Sequence, residues 1–109
     1  MFARISTFEG PSEQTAEGIR VARRQFLPAA RLQEGFRGMY LMSDAATGRS
    51  LAITLWETQE DMARSEGAVR RARAESAESS GDTVVSVERY EVVMGELVDR
   101  RGAGTGSDG

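Results

Sequence analysis

Apolar and polar residues alternate along Met1–Phe8 (MFARISTF), and the residue types are β-prone, which predicts a first strand. Glu9-Gly10-Pro11 breaks it. Ser12 then stands as an N-cap, with Glu13 and Glu17 near the positive end of a helix dipole. Ala16, Ile19, Ala22 and Phe26 recur at helical spacing. Pro28 has no N–H to give to the carbonyl of Arg24, so a kink or break is expected there, with a short turn running on to Gln33. Gly35 is the helix stop. Phe36–Ser43 (FRGMYLMS) predicts a second strand, and Asp44–Arg49 a hairpin loop with Gly48 suited to positive φ.

Ser50–Glu57 (SLAITLWE) predicts the third strand. Thr58 with Asp61 resembles a capping box that opens a second helix. Its apolar stripe is small (Met62, Val69, Ala72), and Glu60/Arg64, Glu66/Arg70 and Arg71/Glu75 are spaced for i,i+4 pairs. Gly81 ends it, and Thr83–Met94 forms the fourth strand. The order β-α-β-β-α-β is an α+β, ferredoxin-like arrangement: one antiparallel sheet with both helices on one face. Residues 1–94 are expected to form the domain. Residues 95–109 turn polar and glycine-rich and are expected to be a flexible C-terminal tail.

Alternation separates two sheet faces. Ala3, Ile5, Met39, Leu41, Leu51, Ile53, Leu55, Val85 and Val87 make an aliphatic face, expected to lie under the helices. The other collects Phe2, Arg4, Ser6, Phe8, Phe36, Tyr40, Met42, Ala52, Thr54, Trp56, Val84, Ser86, Glu88 and Tyr90, holding all the aromatics except Phe26. Leaving such a face wet would create a large sticky patch. A second copy of the sheet, paired by a two-fold axis, is the natural cover, and its polar residues imply a cavity beneath. The first and last strands are neighbours in such a sheet, so Arg4 and Glu88 are expected to meet.

Composition narrows the chemistry. The 109 residues are 39% hydrophobic and 28% charged, which fits one small folded domain. Cysteine and histidine are absent, and all 14 basic residues are arginine. That removes thiolate, imidazole and Schiff-base chemistry. No metal and no cofactor is expected, since the acids are not clustered. A net charge of −3 with interspersed signs argues against nucleic acid. No apolar run is long enough to span a membrane, and the start lacks a signal-peptide pattern, so a cytoplasmic protein is expected.

Gly35-Phe36-Arg37-Gly38-Met39-Tyr40, the Thr47-Gly48-Arg49 turn and Ile53-Thr54-Leu55-Trp56-Glu57 leading into an acidic helix start resemble the antibiotic biosynthesis monooxygenase-like family. That resemblance implies a homodimeric α/β barrel of two face-to-face ferredoxin-like sheets. Some members are cofactor-independent oxygenases of aromatic polyketides and others degrade haem. The haem-degrading branch uses an Asn, a Trp and a His, and this chain has neither Asn nor His. Two readings follow. One is a cofactor-independent monooxygenase of a small aromatic or polyketide-like molecule, with Arg4, Glu88, Tyr40 and Tyr90 as catalytic candidates. Trp56, Phe2, Phe8, Phe36, Thr54 and Ser86 would then bind substrate. The other is a non-catalytic ligand-binding or structural barrel.

Overall fold

Strand β1 (Phe2–Glu9) is followed by a helical stretch in three pieces: α1 (Thr15–Val21), a π-helical turn (Ala22–Phe26) and α2 (Leu27–Arg31). The hairpin β2 (Phe36–Asp44) and β3 (Arg49–Trp56) comes next, then α3 (Gln59–Arg64), α4 (Glu66–Ser80) and β4 (Thr83–Glu91). This computed structural model describes residues 1–11 and 15–98. The Ser12 cap with Glu13, and the tail from residue 99, lie outside the described residues. The sheet is antiparallel throughout, in the order β2-β3-β1-β4. This is the ferredoxin-like arrangement that the element order predicts.

Local chemistry explains the boundaries. Thr58 Oγ1 accepts the Asp61 N–H at 3.0 Å and caps α3 as expected. Gly81 closes α4 in the left-handed region (φ 77°), where a side chain would be strained. Pro28 does not break its helix. The preceding π turn has already changed the hydrogen-bond register, and the proline sits in the first turn of α2, where a missing N–H is harmless. The second helix is split at Ser65, and none of its described ion pairs is an i,i+4 pair. Arg64 turns to Asp61, while Glu66 turns inward. Strand β4 stops at Glu91, short of Met94. Val92 still donates to the Met1 carbonyl at 2.9 Å, and then Val93 and Met94 project into solvent.

The helices cover the face opposite to the one expected. Trp56 packs with Phe26, Ala30, Met62, Val69 and Ala72, with Phe2, Phe36 and Met39 at the margin. Phe8 and Ala52 pack with Ala77, flanked by Met39, Leu41 and Val84. The reason is volume. Apart from Phe26 and Met62, the helices present alanines and a valine to the sheet, so the sheet must supply most of the large side chains that fill the layer. Two bulges also re-sort the strands. One between Phe36 and Gly38 puts Phe36, Met39 and Leu41 on the helix side and Tyr40 and Met42 on the other. One between Thr7 and Phe8 aligns Val84 with Phe8, while Ser86, Glu88 and Tyr90 stay with Thr7, Ile5 and Ala3. The open face therefore carries Ile5, Leu51, Ile53, Leu55, Tyr40, Met42 and Tyr90, none of them buried within the chain.

Candidate functional site

Two features stand out on the helix side. The first is a cleft between the α1–α2 stretch, the end of α4 and the sheet. Its inner part is a cavity of about 60 Å³ walled by Phe8, Phe26, Met39, Leu41, Ala52 and Ala77. Ser43, Ser50, Ser76, Ser80 and Asp82 add hydroxyls and one carboxylate. A wider groove of about 810 Å³ continues past Met39 and Leu41 to Phe36, Leu27, Arg23 and Arg31. The inner cavity alone holds little more than solvent. The groove is within the ~300–1,000 Å³ range of small-molecule sites.

Asp82 stands on the serine-lined side. Ser80 Oγ donates to its Oδ2 at 3.0 Å. A Cβ on Gly10, just past β1, would fall 1.8 Å from Oδ1, so any side chain there would push this carboxylate aside. The π turn contributes Ala22 and Phe26 to the opposite wall. Such turns recur at functional sites because they re-aim side chains within a continuous helix.

The second feature is a buried arginine cluster. Arg4, 1% exposed, donates through one amino group to the Met62 carbonyl at 2.6 Å and to Ser65 Oγ at 3.2 Å. The same group reaches Glu66 Oε2 at 3.4 Å, and its guanidinium lies 5.5 Å from the Trp56 ring centre. Arg89 donates to the same Glu66 oxygen through Nε at 3.0 Å. Arg73, 4% exposed, approaches the other oxygen at 3.7 Å. Burial pushes the Glu66 carboxyl up, but the guanidiniums of Arg89, Arg4 and Arg73 outweigh it and hold it below the usual carboxylate range. Burial lowers Arg4 and Arg73, partly offset by Glu66.

The residues singled out from sequence divide between these places. Arg4, Thr54 and Trp56 are together under the helices, with Trp56 Nε1 donating to Thr54 Oγ1 at 3.0 Å. Phe2 and Phe36 border the same core. Phe8 lines the inner cavity and Phe36 the outer groove. Tyr40, Ser86, Glu88 and Tyr90 lie on the opposite face, so one shared cavity does not form. Arg4 does not meet Glu88. Its partner across β4 is Arg89, and Glu88 instead accepts from the Tyr90 hydroxyl at 3.1 Å. That hydrogen bond raises Tyr90 above the ordinary phenol range. Asp82, Glu66, Arg73 and Ser76 were not singled out. A signal existed for two of them: Val69, Arg73, Ser76 and Ser80 follow helical spacing, so polar residues share the buried stripe of α4.

No family model matches the sequence. The chain is 35% identical over 92 residues to the uncharacterized protein Rv2557 of Mycobacterium tuberculosis strain H37Rv, and equally to the uncharacterized protein MT2634 of strain CDC 1551. The match takes in 84% of this chain but only 41% of each relative. Solved structures are similar over nearly the whole fold. A Deinococcus radiodurans protein named for antibiotic biosynthesis monooxygenases superposes with a TM-score of 0.67 at 17% identity, over 90% of this chain and 98% of its own. One from Nitrosomonas europaea named likewise gives 0.62 at 13%, over 86% and 100%. A mutant of MhuD, solved with two manganese protoporphyrin IX per active site, gives 0.64 at 19%, over 88% and 98%.

Proposed function

Starting from a chain with the fold of the antibiotic biosynthesis monooxygenase-like proteins, we propose that it binds a flat, ionisable aromatic or polyketide-like molecule in the cleft and oxidises it with molecular oxygen. The observation that carries this reading is the cleft itself: an apolar floor, serine hydroxyls along one side and Asp82 among them. In this reading a ring lies against Met39 and Leu41, which border both groove and cavity, with its acidic edge toward Asp82. Asp82 takes a proton from an activated CH2 group beside a phenol or carbonyl. The electron pair left behind passes to O2, a C–O bond forms, and reprotonation gives a hydroperoxide. Loss of water then breaks the O–O bond and leaves a carbonyl. One CH2 and one O2 become one C=O and one H2O, with the substrate as the only reductant. The protein binds the ring, positions the base and excludes solvent.

The open face of the sheet supports a homodimer. Ile5, Leu51, Ile53, Leu55, Tyr40 and Met42 form a continuous apolar surface that a second copy of the same sheet covers. Tyr90, Glu88 and Ser86 then belong to that interface rather than to the cleft.

Oxygen uptake with a panel of anthrone-like phenols and hydroquinones tests the activity. Asp82→Asn is expected to lower kcat by ~10²–10⁴. Ala77→Phe, which fills the inner cavity, is expected to abolish binding. Ligand binding without oxygen uptake would leave the non-catalytic barrel as the answer. Uptake that survives both substitutions would remove the cleft from the reaction.

A further inference from the structure

The arginine cluster holds more positive charge than it can use. Arg4, Arg73 and Arg89 surround one carboxylate, Glu66, so three formal positive charges face one negative. Two of the three guanidiniums are more than nine-tenths buried. In such a setting every N–H is normally bonded, because an unpaired buried charge-bearing donor is strongly disfavoured. Among the described residues, four nitrogens here have no protein acceptor: Nε and Nη1 of Arg4, and Nε and Nη2 of Arg73. Ser76 Oγ, one turn along α4 from Arg73, is buried and unpartnered too.

The pair on Arg73 is the informative one. Nε and Nη2 form one edge of the guanidinium, two parallel N–H groups at the spacing that receives both oxygens of a carboxylate or phosphate. Glu66 does not fill this edge, since its nearer oxygen stands 3.7 Å from Nη2. Its other oxygen is held by Arg89 and Arg4. Arg4 is likewise fixed by Met62 and Ser65 at one amino group, leaving its other two nitrogens free. The cluster reaches solvent where Glu66 and Arg89 are partly exposed, between α4 and β4.

We propose that this cluster is a binding site for a small oxyanion group, received bidentately by Arg73 with Arg4 and Arg89 supplying the remaining charge. The site is independent of the cleft reading: its guanidiniums do not line the cleft, and either reading survives failure of the other. The shared chemistry is an oxyanion with at least two acceptor oxygens. Inorganic phosphate and an organic carboxylate are its two sources.

Thermal unfolding and isothermal titration of the intact chain, with sodium phosphate or sodium benzoate against sodium chloride at matched ionic strength, test the proposal. A saturable rise in Tm of several degrees with either anion, above the chloride control, is expected. A response to phosphate alone marks a free inorganic ion. A response to benzoate alone marks a carboxylate ligand. Arg73→Met is expected to weaken binding at least tenfold. Arg73→Lys keeps the charge and removes the two-pronged edge, so it too should weaken binding, and it guards against a Met variant that fails to fold. No saturable effect of either anion, or equal binding by Arg73→Lys and wild type, would overturn the proposal.

Discussion

The two faces of the sheet obey different rules. On the helix side, Trp56 and Phe8 meet Phe26 and small helix residues, with Arg4, Thr54, Ser6 and Arg73 among the buried polar groups. On the open side, aliphatic residues lie beside two tyrosines and a carboxylate that remain half wet. One face is closed by the chain's own helices. The other is finished only by another surface. The contrast teaches that residue size, more than hydrophobicity, decides which face a helix layer covers. Alanine-rich helices leave depth, and aromatic side chains fill it.

The severest way to break the helix side is Trp56→Ala. The side chain is fully buried, and removal of a core aromatic typically costs ~3–5 kcal/mol against a total of ~5–15 kcal/mol for a small domain. Circular dichroism should show a chain largely unfolded at 37 °C. The corresponding injury to the open side is Ile53→Asp with Leu55→Asp. It should leave secondary structure and melting largely intact while converting a dimer to a monomer in light scattering. A wild-type monomer at micromolar concentration would mean that the open face has another partner.

Much of the fold was legible in the sequence. The element order, the Thr58–Asp61 cap and the glycines at 35, 48 and 81 followed from local chemistry, which acts over a few residues. The assignment of faces did not, because alternation separates two sets without saying which is covered. The alanine stripe of α4 carried that information. The bulges at Phe36–Gly38 and Thr7–Phe8 break alternation across strands that are distant in sequence, so no single segment announces them. Arg4 was expected to meet an acid, but the partner was misplaced. Glu66 sits on a helix, and its spacing to Arg70 pointed outward, whereas the unpaired guanidiniums beneath attract it inward.

A milder test sharpens the electrostatic side. Glu66 has a lowered folded-state pKa, so its stabilising contribution is present above the unfolded value near 4.5 and disappears as pH falls through the folded value. Tm measured from pH 6 downward should therefore fall more steeply for wild type than for Glu66→Gln. The smallest effect belongs to the open face. Tyr90→Phe should leave Tm unchanged in the monomeric Ile53→Asp/Leu55→Asp background. In the same background Glu88→Gln should bring the Tyr90 phenol back toward its ordinary range in an ultraviolet titration.

The π turn at Ala22–Phe26 carries one residue more than a regular helical turn, and the Leu27 N–H donates back to the Ala22 carbonyl across it. Each α-helical residue turns the chain by about 100°. Deleting one residue from this turn would restore regular α-helical bonding and leave Ile19 on the face it shares with Leu27 and Arg31, because the wide turn absorbs its extra residue instead of passing that rotation on. Those residues now share one groove. The turn's own residues would be the ones to move: Ala22 and Phe26, which wall the inner cavity, would be drawn back into a narrower helix.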